Sequence, residues 1–447
     1  MNITMIGTGY VGLTTGACLA ELGHHVTCVD VDPTKIERLR AGEIPIFEPG
    51  LEELVLRNTA ALRLRFTTDY AEAVPGADAV FLAVGTPSSV TGKADLAQVM
   101  GATDALAKLL EGGTTVVVKS TVPVGTTAEV AQRIADARPD LGFEIAANPE
   151  FLRQGAAVDD FMHPDRIVVG AGTIAAKHTL RHIYQPLLGA GAPGIFTNVE
   201  TAELIKYASN AFLATKLSFI NEIADLCELA GARVEDVAQG MGLDARIGPR
   251  FLNPGPGYGG SCLPKDTQAL LHTSQVYGAP SRIVAAAVDV NAARRRRMAD
   301  KVAAAAGGSL AASTVAVLGL AFKANTDDLR ESPAVEIVRS LVGLGARIRA
   351  YDPEGMDNAR RLLAGIDFAT DPYDAMVGAD VLVILTEWPE FATLDLHRVG
   401  ELLSKPVIVD TRNLYDPGDV RSAGIEYHSV GRPVARTDQQ PPRVQNT

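Results

Sequence analysis

Gly7-Thr8-Gly9-Tyr10-Val11-Gly12 is the stretch that decides the fold. It follows a short apolar run, residues 2–6, and opens a segment with helical spacing. In such a strand–turn–helix unit the three glycines have separate duties. Gly7 permits the tight turn, Gly9 lets the backbone approach a pyrophosphate, and Gly12 allows close packing of helix on strand. The helix start then offers free N–H groups and a positive dipole end to phosphate. Asp30 closes the next apolar run, 18 residues beyond Gly12. Its carboxylate can accept hydrogen bonds from ribose hydroxyls and would repel a 2′-phosphate, so NAD is expected rather than NADP. A glycine loop of this kind also occurs as a plain structural turn. The strand, helix and acid around it favour the dinucleotide reading.

Working outward, further strands are expected at 25–29, 79–84, 115–118, 144–147 and 166–170, with helical patterns between them. That alternation implies a parallel sheet covered by helices. Residues 201–229 differ: they hold few breakers and keep Leu204, Ile205, Ala208, Phe212, Leu217, Ile220, Ile223 and Leu226 at helical spacing. A helix of that span would reach ~40 Å and would serve as a spine and a dimer face. A glycine- and proline-rich stretch, 248–264, follows, then more helix to about 306. The last third repeats the first: strands are expected at 314–319, 346–351, 380–385 and 406–410, and Asp352 ends its strand as Asp30 does. The expected architecture is therefore α/β, with two Rossmann-like domains on parallel sheets joined by a long central helix. The domains are an N-terminal NAD-binding domain at 1–200, a central helical region at 201–306, and a C-terminal Rossmann-like domain at 307–431. Residues 432–447 are expected to form a disordered tail.

Composition narrows the function. A formal net charge of −12 argues against a nucleic-acid partner. The one basic run, Arg294-Arg295-Arg296-Arg297, reads as a solvated helix face or an interface. No apolar stretch is long enough to cross a bilayer, and Met1 leads into a strand without a basic leader, so neither membrane insertion nor secretion is expected. Four cysteines without a Cys-x-x-Cys pair suggest neither a disulfide framework nor a metal, and the expected compartment is the reducing cytoplasm.

Cys18, Cys28 and Cys227 fall inside helix or strand patterns and read as small buried apolar residues. Cys262 does not. It lies in Gly259-Gly260-Ser261-Cys262-Leu263-Pro264-Lys265-Asp266, after two glycines and close to a lysine and an acid. A nearby cation or a helix N-terminus favours the thiolate form. On this evidence a nucleophile and a buried turn cysteine stand level. A nucleophile would have a specific use beside a dinucleotide. Oxidising an alcohol beyond the aldehyde requires an adduct from which a second hydride can leave. A thiolate supplies it as a thiohemiacetal, which becomes a thioester that water hydrolyses.

That loop, with Asn148-Pro149-Glu150-Phe151-Leu152-Arg153, the 203–212 segment of the spine and Gly319-Leu320-Ala321-Phe322-Lys323, resembles the UDP-glucose/GDP-mannose dehydrogenase family, and within it the UDP-glucose branch. The likeness runs in order from residue 1 to about residue 430. It implies a homodimer and a four-electron oxidation of UDP-glucose to UDP-glucuronate by two NAD. It also implies roles. Cys262 would be the nucleophile. Lys206 and Asn210, one helical turn apart, would hold the C6 oxygen and its developing charge. Asp266 would act with a water as base for the first oxidation, Thr121 would orient water and touch NAD, and Glu150 would assist thioester hydrolysis. For NAD the resemblance adds Lys35, Thr86, Glu150, Lys265 and Arg330 to the 7–12 loop and Asp30. For the sugar nucleotide it implies Glu150, Phe151, Leu152, Arg153, Lys206, Asn210, Phe251, Leu252, Asn253, Pro254, Gly255, Gly259, Lys323 and Arg412, with Arg246 crossing from a partner subunit. Gln154 departs from the family, which often carries Glu there.

Two alternatives stay open. The sugar nucleotide could instead be GDP-mannose or UDP-N-acetylmannosamine, although Ser261 before the cysteine suits the UDP-glucose branch and the acetylmannosamine branch tends to carry His. A non-catalytic NAD-binding scaffold on the same fold is the other.

Overall fold

The apolar runs become strands because their residues alternate between two buried faces. In Ala79–Leu82, Val80 and Leu82 join one apolar cluster and Phe81 another; in Thr115–Val118, Val116 and Val118 face one way and Val117 the other. Strands buried on both faces read as continuous apolar runs rather than as alternation. The computed structural model describes residues 1–89 and 92–436. They divide into two compact units: residues 1–210 with 265–281, and residues 211–264 with 282 onward. The stretch expected as a separate central region, 201–306, is thus shared between the units.

The first unit holds β1 (Asn2–Ile6), β2 (His25–Val29), β3 (Leu64–Thr67), β4 (Ala79–Leu82), β5 (Thr115–Val118), β6 (Glu144–Ala147), β7 (Ile167–Ala171) and β8 (Gly194–Thr197). Their order is β3-β2-β1-β4-β5-β6-β7-β8. One junction departs from the expected parallel sheet. β7 runs antiparallel to β6, with Ala146 opposite Ala171 and Ala147 opposite Gly170. The connection from β6 carries only the short helix Ala157–Met162, and the chain re-enters the sheet from the end at which β6 left it. The segment bearing Glu150 therefore stays at the carboxyl ends of β1, β4 and β5. Open α/β sheets bind ligands at that end.

The second unit holds β9 (Thr314–Leu318), β10 (Arg347–Tyr351), β11 (Asp367–Phe368), β12 (Val381–Ile384), β13 (Val407–Asp410) and β14 (Glu426–His428), all parallel in the order β11-β10-β9-β12-β13-β14. Val315, Val317, Val381 and Val383 face one core of this sheet, and Ala316, Leu318, Leu382 and Ile384 face the other. Asp352 ends β10 as Asp30 ends β2, but its environment differs. It is fully buried and accepts hydrogen bonds from the amides of Leu320 (2.7 Å), Ala321 (2.9 Å), Glu354 (3.1 Å) and Gly355 (2.7 Å) and from Trp388 Nε1 (3.2 Å). Asp352 is fully buried, whereas 10% of the Asp30 side chain is exposed, so Asp352 is a structural acid of this sheet and not a counterpart of Asp30.

The spine helix runs Val199–Ala230, starting slightly before and ending slightly after the expected 201–229. The basic run, expected on a solvated helix face or at an interface, is instead partly internal to the second unit. Arg294 is 3% exposed, pairs with Asp225 and donates from Nε to the carbonyl of Gly255 at 2.9 Å. Arg295 pairs with Glu336, and only Arg296 and Arg297 are exposed. The helix Arg282–Ala305 carrying them packs between apolar elements of the second unit, and Asp225 supplies the charge that makes burial of Arg294 tolerable.

Residues 432–436, expected to begin the disordered tail, are placed by contacts: Ala435 pairs with Tyr427, and Arg432 reaches Glu235 at 2.6 Å. The remainder of that tail, 437–447, lies outside the described residues. Among the described residues, no helix is long and apolar enough to cross a membrane.

Candidate active site

The glycine loop is built as its spacing requires. Gly7 has φ +100°, and a Cβ there would meet the Ala83 carbonyl oxygen at 2.6 Å. A Cβ on Gly12 would fall 2.0 Å from the Gly7 carbonyl oxygen, whereas one on Gly9 would meet nothing within 4 Å. Gly9 caps the helix Tyr10–Glu21, so open space lies where first-turn amides are unpaired. That is the cradle a pyrophosphate needs. The Tyr10 hydroxyl is turned away from that space, donating to the Glu48 carboxylate and accepting from the Gly155 amide at 3.1 Å. Replacing Gly12 with Ala is expected to destabilise the protein by about 3 kcal/mol through overpacking, a fall of roughly 10 °C in Tm. Gly9→Ala should leave Tm within about 1 °C and raise the KM for NAD about tenfold, near 1.4 kcal/mol of lost binding. Calorimetry and NAD titration separate the two, and equal Tm losses would contradict these assignments.

Asp30 sits at the strand end with 10% of its side chain exposed. It accepts from the Thr8 amide (2.9 Å) and hydroxyl (2.7 Å), from Lys35 Nζ (2.9 Å) and from the Asp32 amide (3.1 Å). Burial would raise its carboxyl pKa, but these donors outweigh that and hold it below the ordinary value. Lys35 therefore lies on the same carboxylate as Thr8. Thr86, 7% exposed, donates to the Thr121 carbonyl at 2.9 Å, and Lys265 Nζ lies 3.4 Å from the Thr86 hydroxyl.

Lys206 and Asn210 leave one stripe of the spine helix and meet two different carboxylates. Lys206 Nζ is 3.1 Å from Glu150 Oε1, with side chains 4% and 5% exposed. Asn210 Nδ2 donates to Asp266 Oδ2 at 2.6 Å, and Lys265 Nζ reaches Asp266 Oδ1 at 2.6 Å. Asp266 is 1% exposed. Burial would push the Glu150 carboxyl up, but Lys206, the Leu152 amide (2.5 Å) and Lys119 together hold it below its usual value. Phe151 has the Arg166 guanidinium 3.7 Å and Lys206 Nζ 5.2 Å from its ring centroid. Arg153 is half exposed and paired with Asp160 at 2.5 Å.

In the second unit, Cys262 immediately precedes the helix Leu263–Val276 and is half-buried beside Ser261, whose Oγ lies 3.6 Å from its Sγ. The free amides of a helix start favour negative charge. The two glycines before it are sterically required: a Cβ on Gly259 would fall 2.2 Å from the Glu331 carbonyl, and one on Gly260, where φ is +82°, would strike the Phe322 ring at 2.8 Å. The Gly260 amide donates to the Arg330 carbonyl at 3.1 Å, and the Arg330 guanidinium, paired with Asp328 at 2.7 Å, feels the Cys262 sulfur. Arg330 therefore belongs to the surroundings of the cysteine. Cys18 and Cys28 are inert by contrast, buried with their thiols pushed up to about 12.

The remaining sugar-nucleotide candidates, residues 251–255, Gly259, Lys323 and Arg412, lie in this unit, whereas residues 150–153, Lys206 and Asn210 lie in the first. Arg412 donates from Nη2 to the Phe322 carbonyl (3.0 Å) and from Nε to the Leu385 carbonyl (2.8 Å), and a Cβ on Gly255 would lie 3.3 Å from its Nη1. Lys323 Nζ is 5.7 Å from the Phe322 ring centroid. The 251–255 loop is held by Asn221, whose Oδ1 takes the Gly255 amide at 2.8 Å, and by Arg294. Phe251 adopts φ +64°, Leu252 is buried, Asn253 is exposed and Pro254 is half-buried. Arg246 stands apart, 90% exposed and paired only locally with Asp244 at 2.5 Å.

Sequence reasoning gave no role to Lys119, Asn148 or Tyr184. Lys119 Nζ, 3% exposed at the end of β5, donates to Asn148 Oδ1 (3.1 Å) and to its carbonyl (3.3 Å). A lysine closing an otherwise apolar strand was the available signal.

The glycine turn at 7–12 with an acid at the end of the next strand has the form of an NAD-binding oxidoreductase domain. Residues 1–188, 200–293 and 316–417 match, in turn, the NAD binding, central and UDP binding domains of the UDP-glucose/GDP-mannose dehydrogenase family. The chain is 54% identical over 436 residues to a UDP-glucose 6-dehydrogenase of Rhizobium meliloti, covering 97% of this chain and 100% of that one. It is 46% identical over 439 residues to UDP-glucose 6-dehydrogenase TuaD of Bacillus subtilis, covering 97% and 94%. A UDP-glucose dehydrogenase structure from Pyrobaculum islandicum superposes with a TM-score of 0.89 at 41% identity, covering 96% of this chain and 97% of that one. The chain belongs to the UDP-glucose/GDP-mannose dehydrogenase family, and NAD is its cofactor.

Proposed function

We propose that this protein oxidises UDP-glucose to UDP-glucuronate, reducing two NAD and consuming one water per sugar. The observation that carries the reading is the near-full-length likeness to UDP-glucose 6-dehydrogenases in a chain that keeps Cys262 in its glycine turn. The open cradle at Gly9 and the acid at Asp30 fit the cofactor. NAD, when bound, supplies the hydride acceptor for both oxidations. Gly7, Gly9, Tyr10, Val11 and Gly12 would hold its pyrophosphate, Asp30 and Lys35 its ribose, and Thr86, Thr121, Glu150, Lys265 and Arg330 further parts of it.

In the first oxidation Asp266 receives the C6 hydroxyl proton through a water. The Cys262 sulfur then bonds to the aldehyde carbon, and Lys206 and Asn210 stabilise the negative oxygen that results. Loss of a second hydride leaves a thioester. A water oriented by Thr121 gives its proton to Glu150 and its oxygen to the acyl carbon. The carbon–sulfur bond breaks, and Cys262 leaves as thiolate. Glu150 is held in the ionised form that a base requires. Phe151, Leu152, Arg153, the 251–255 loop, Gly259, Lys323 and Arg412 would grip the sugar nucleotide, with Arg246 reaching the sugar of a second copy.

The partner copy would dock on the spine helix. Phe212, Phe219 and Leu226 are 66%, 45% and 60% exposed at seven-residue intervals, the spacing of a helix–helix seam. Sedimentation equilibrium at twice 47.1 kDa is the expected result, and a monomer at micromolar concentration would contradict it. Four free cysteines suit a reducing cytoplasm, which cell fractionation would test.

The deciding assay supplies NAD with UDP-glucose, GDP-mannose or UDP-N-acetylmannosamine and counts NADH per sugar. Two per UDP-glucose, with much slower turnover of the others, is expected. A count near one, or preference for another sugar, would sink the proposal.

A further inference from the structure

Within electrostatic reach of the Glu150–Lys206 pair lies a second buried cation that the proposed reaction does not use. Lys119 ends β5, and its Nζ donates to both oxygens of Asn148, at 3.1 and 3.3 Å. Asn148 is itself locked. Its amide donates to the Val118 carbonyl (2.9 Å), its Nδ2 to the Val168 carbonyl (2.8 Å), and its Oδ1 also accepts from the Tyr184 hydroxyl (2.6 Å). Asn148 precedes Pro149 and Glu150, so this lock sets where the Glu150 backbone begins. All three side chains are buried. An uncompensated buried ammonium is costly, and a core position needing only volume is filled by an apolar residue. Lys119 does not form a direct ion pair in this site, yet Glu150 attracts it and Lys206 repels it.

We infer that Lys119 is a positioning residue for the second half of the reaction: through Asn148 it fixes the turn that presents Glu150, and it places a second positive charge within electrostatic reach of that carboxylate. The inference rests on the proposed function, in which Glu150 takes a proton from the water that adds to the Cys262 thioester as the sulfur leaves. The charged and titratable groups around Glu150 are Lys206 on the spine helix, Lys119 on β5, Arg166 before β7 and Tyr10 in the glycine loop. Around Lys119 they are Glu150 and Lys206, with Tyr184 acting through Asn148. Burial brings the Lys119 ammonium down to about 8, which leaves it charged at neutral pH. Removing that charge lets burial raise the Glu150 carboxyl.

The test compares Lys119→Met with wild type in the full protein. The Met variant should keep KM for UDP-glucose and NAD within about twofold and lose about tenfold in kcat, with the acid limb of kcat moving up by about one pH unit. Intact-mass analysis during turnover should show more enzyme carrying the covalent sugar adduct, because hydrolysis has slowed relative to its formation. A limb that stays in place, or an adduct fraction no higher than in wild type, overturns the inference. Tyr184→Phe decides the matter should the Met variant not fold. It weakens the hold on Asn148 and keeps the charge, so kcat should fall severalfold with the limb unmoved. Unchanged kcat, or a moved limb, overturns the inference. Absence of UDP-glucose turnover in wild type overturns the function beneath it, whereas wild-type turnover with these variant results reversed overturns this inference alone.

Discussion

Cys262→Ser is expected to abolish steady-state production of NADH from UDP-glucose, by a factor on the order of 10³ or more. The loss should take a particular form. The hydroxyl occupies the same place in the glycine turn, beside Ser261 and ahead of the helix Leu263–Val276, so folding and NAD binding should be unchanged. A serine oxygen is a poorer nucleophile than a thiolate, and its ester is a poorer substrate for hydrolysis than a thioester. Any sugar that does react should stop on the enzyme. Rapid mixing should show at most two NADH per subunit and then nothing, and intact mass should show the sugar nucleotide attached through residue 262. Steady turnover near the wild-type rate would remove Cys262 from the mechanism and return the even choice between nucleophile and turn cysteine to its structural side.

The second large effect concerns Lys206. Replacing it with Ala leaves the Glu150 carboxylate, 5% exposed, without its partner at 3.1 Å. Breaking a buried pair from one side costs about 3–5 kcal/mol, because the remaining charge has lost its compensation. Losing the group that faces the developing oxyanion should cost a further factor of about 10²–10³ in kcat. The pH dependence distinguishes this from a cavity effect. In the wild type the Glu150 carboxyl is held below its unfolded value, so its stabilisation is present above that value and disappears as pH falls through the folded one. In Lys206→Ala burial dominates and raises the carboxyl, so the variant gains relative stability as the pH falls and the acid is protonated. The Tm gap between wild type and variant should therefore narrow between pH 7.5 and pH 5. A constant gap would mean that the lost contact was packing alone.

The readable part of the fold was its interior. Ten strands are legible as apolar runs, and they are the inner strands of the two sheets. The four that escaped notice, β3, β8, β11 and β14, are the four edges. Edge strands are short and half-solvated, as the exposed Gly194–Thr197 illustrates, and carry little of the apolar pattern that marks a strand buried on both faces. The direction of β7 was also hidden, because an apolar run looks the same whichever way it enters the sheet. The basic run at Arg294 misled for a related reason: charge in a sequence suggests solvent, and the Asp225 partner lies 69 residues away in the chain.

By itself, then, the sequence determined that residues 7–12 form a dinucleotide turn, since Gly7 must adopt φ +100° and a Cβ on Gly12 would strike the Gly7 carbonyl oxygen, and both demands are local. It also determined that Cys262 lies in a glycine turn unlike those of the other cysteines. Only the tertiary structure decided how the ionisable groups are paired. Lys206 with Glu150, Asn210 with Asp266, and Lys119 behind Asn148 are each brought together from separate strands and helices. Only the tertiary structure, too, turned Asp352 inward and left Asp30 at the cradle, although both end a strand in the same pattern. The physical reason is one of range. Backbone sterics and apolar periodicity act between neighbours in the chain, whereas the charge state and availability of a buried group depend on burial and on partners that only the assembled sheet brings near.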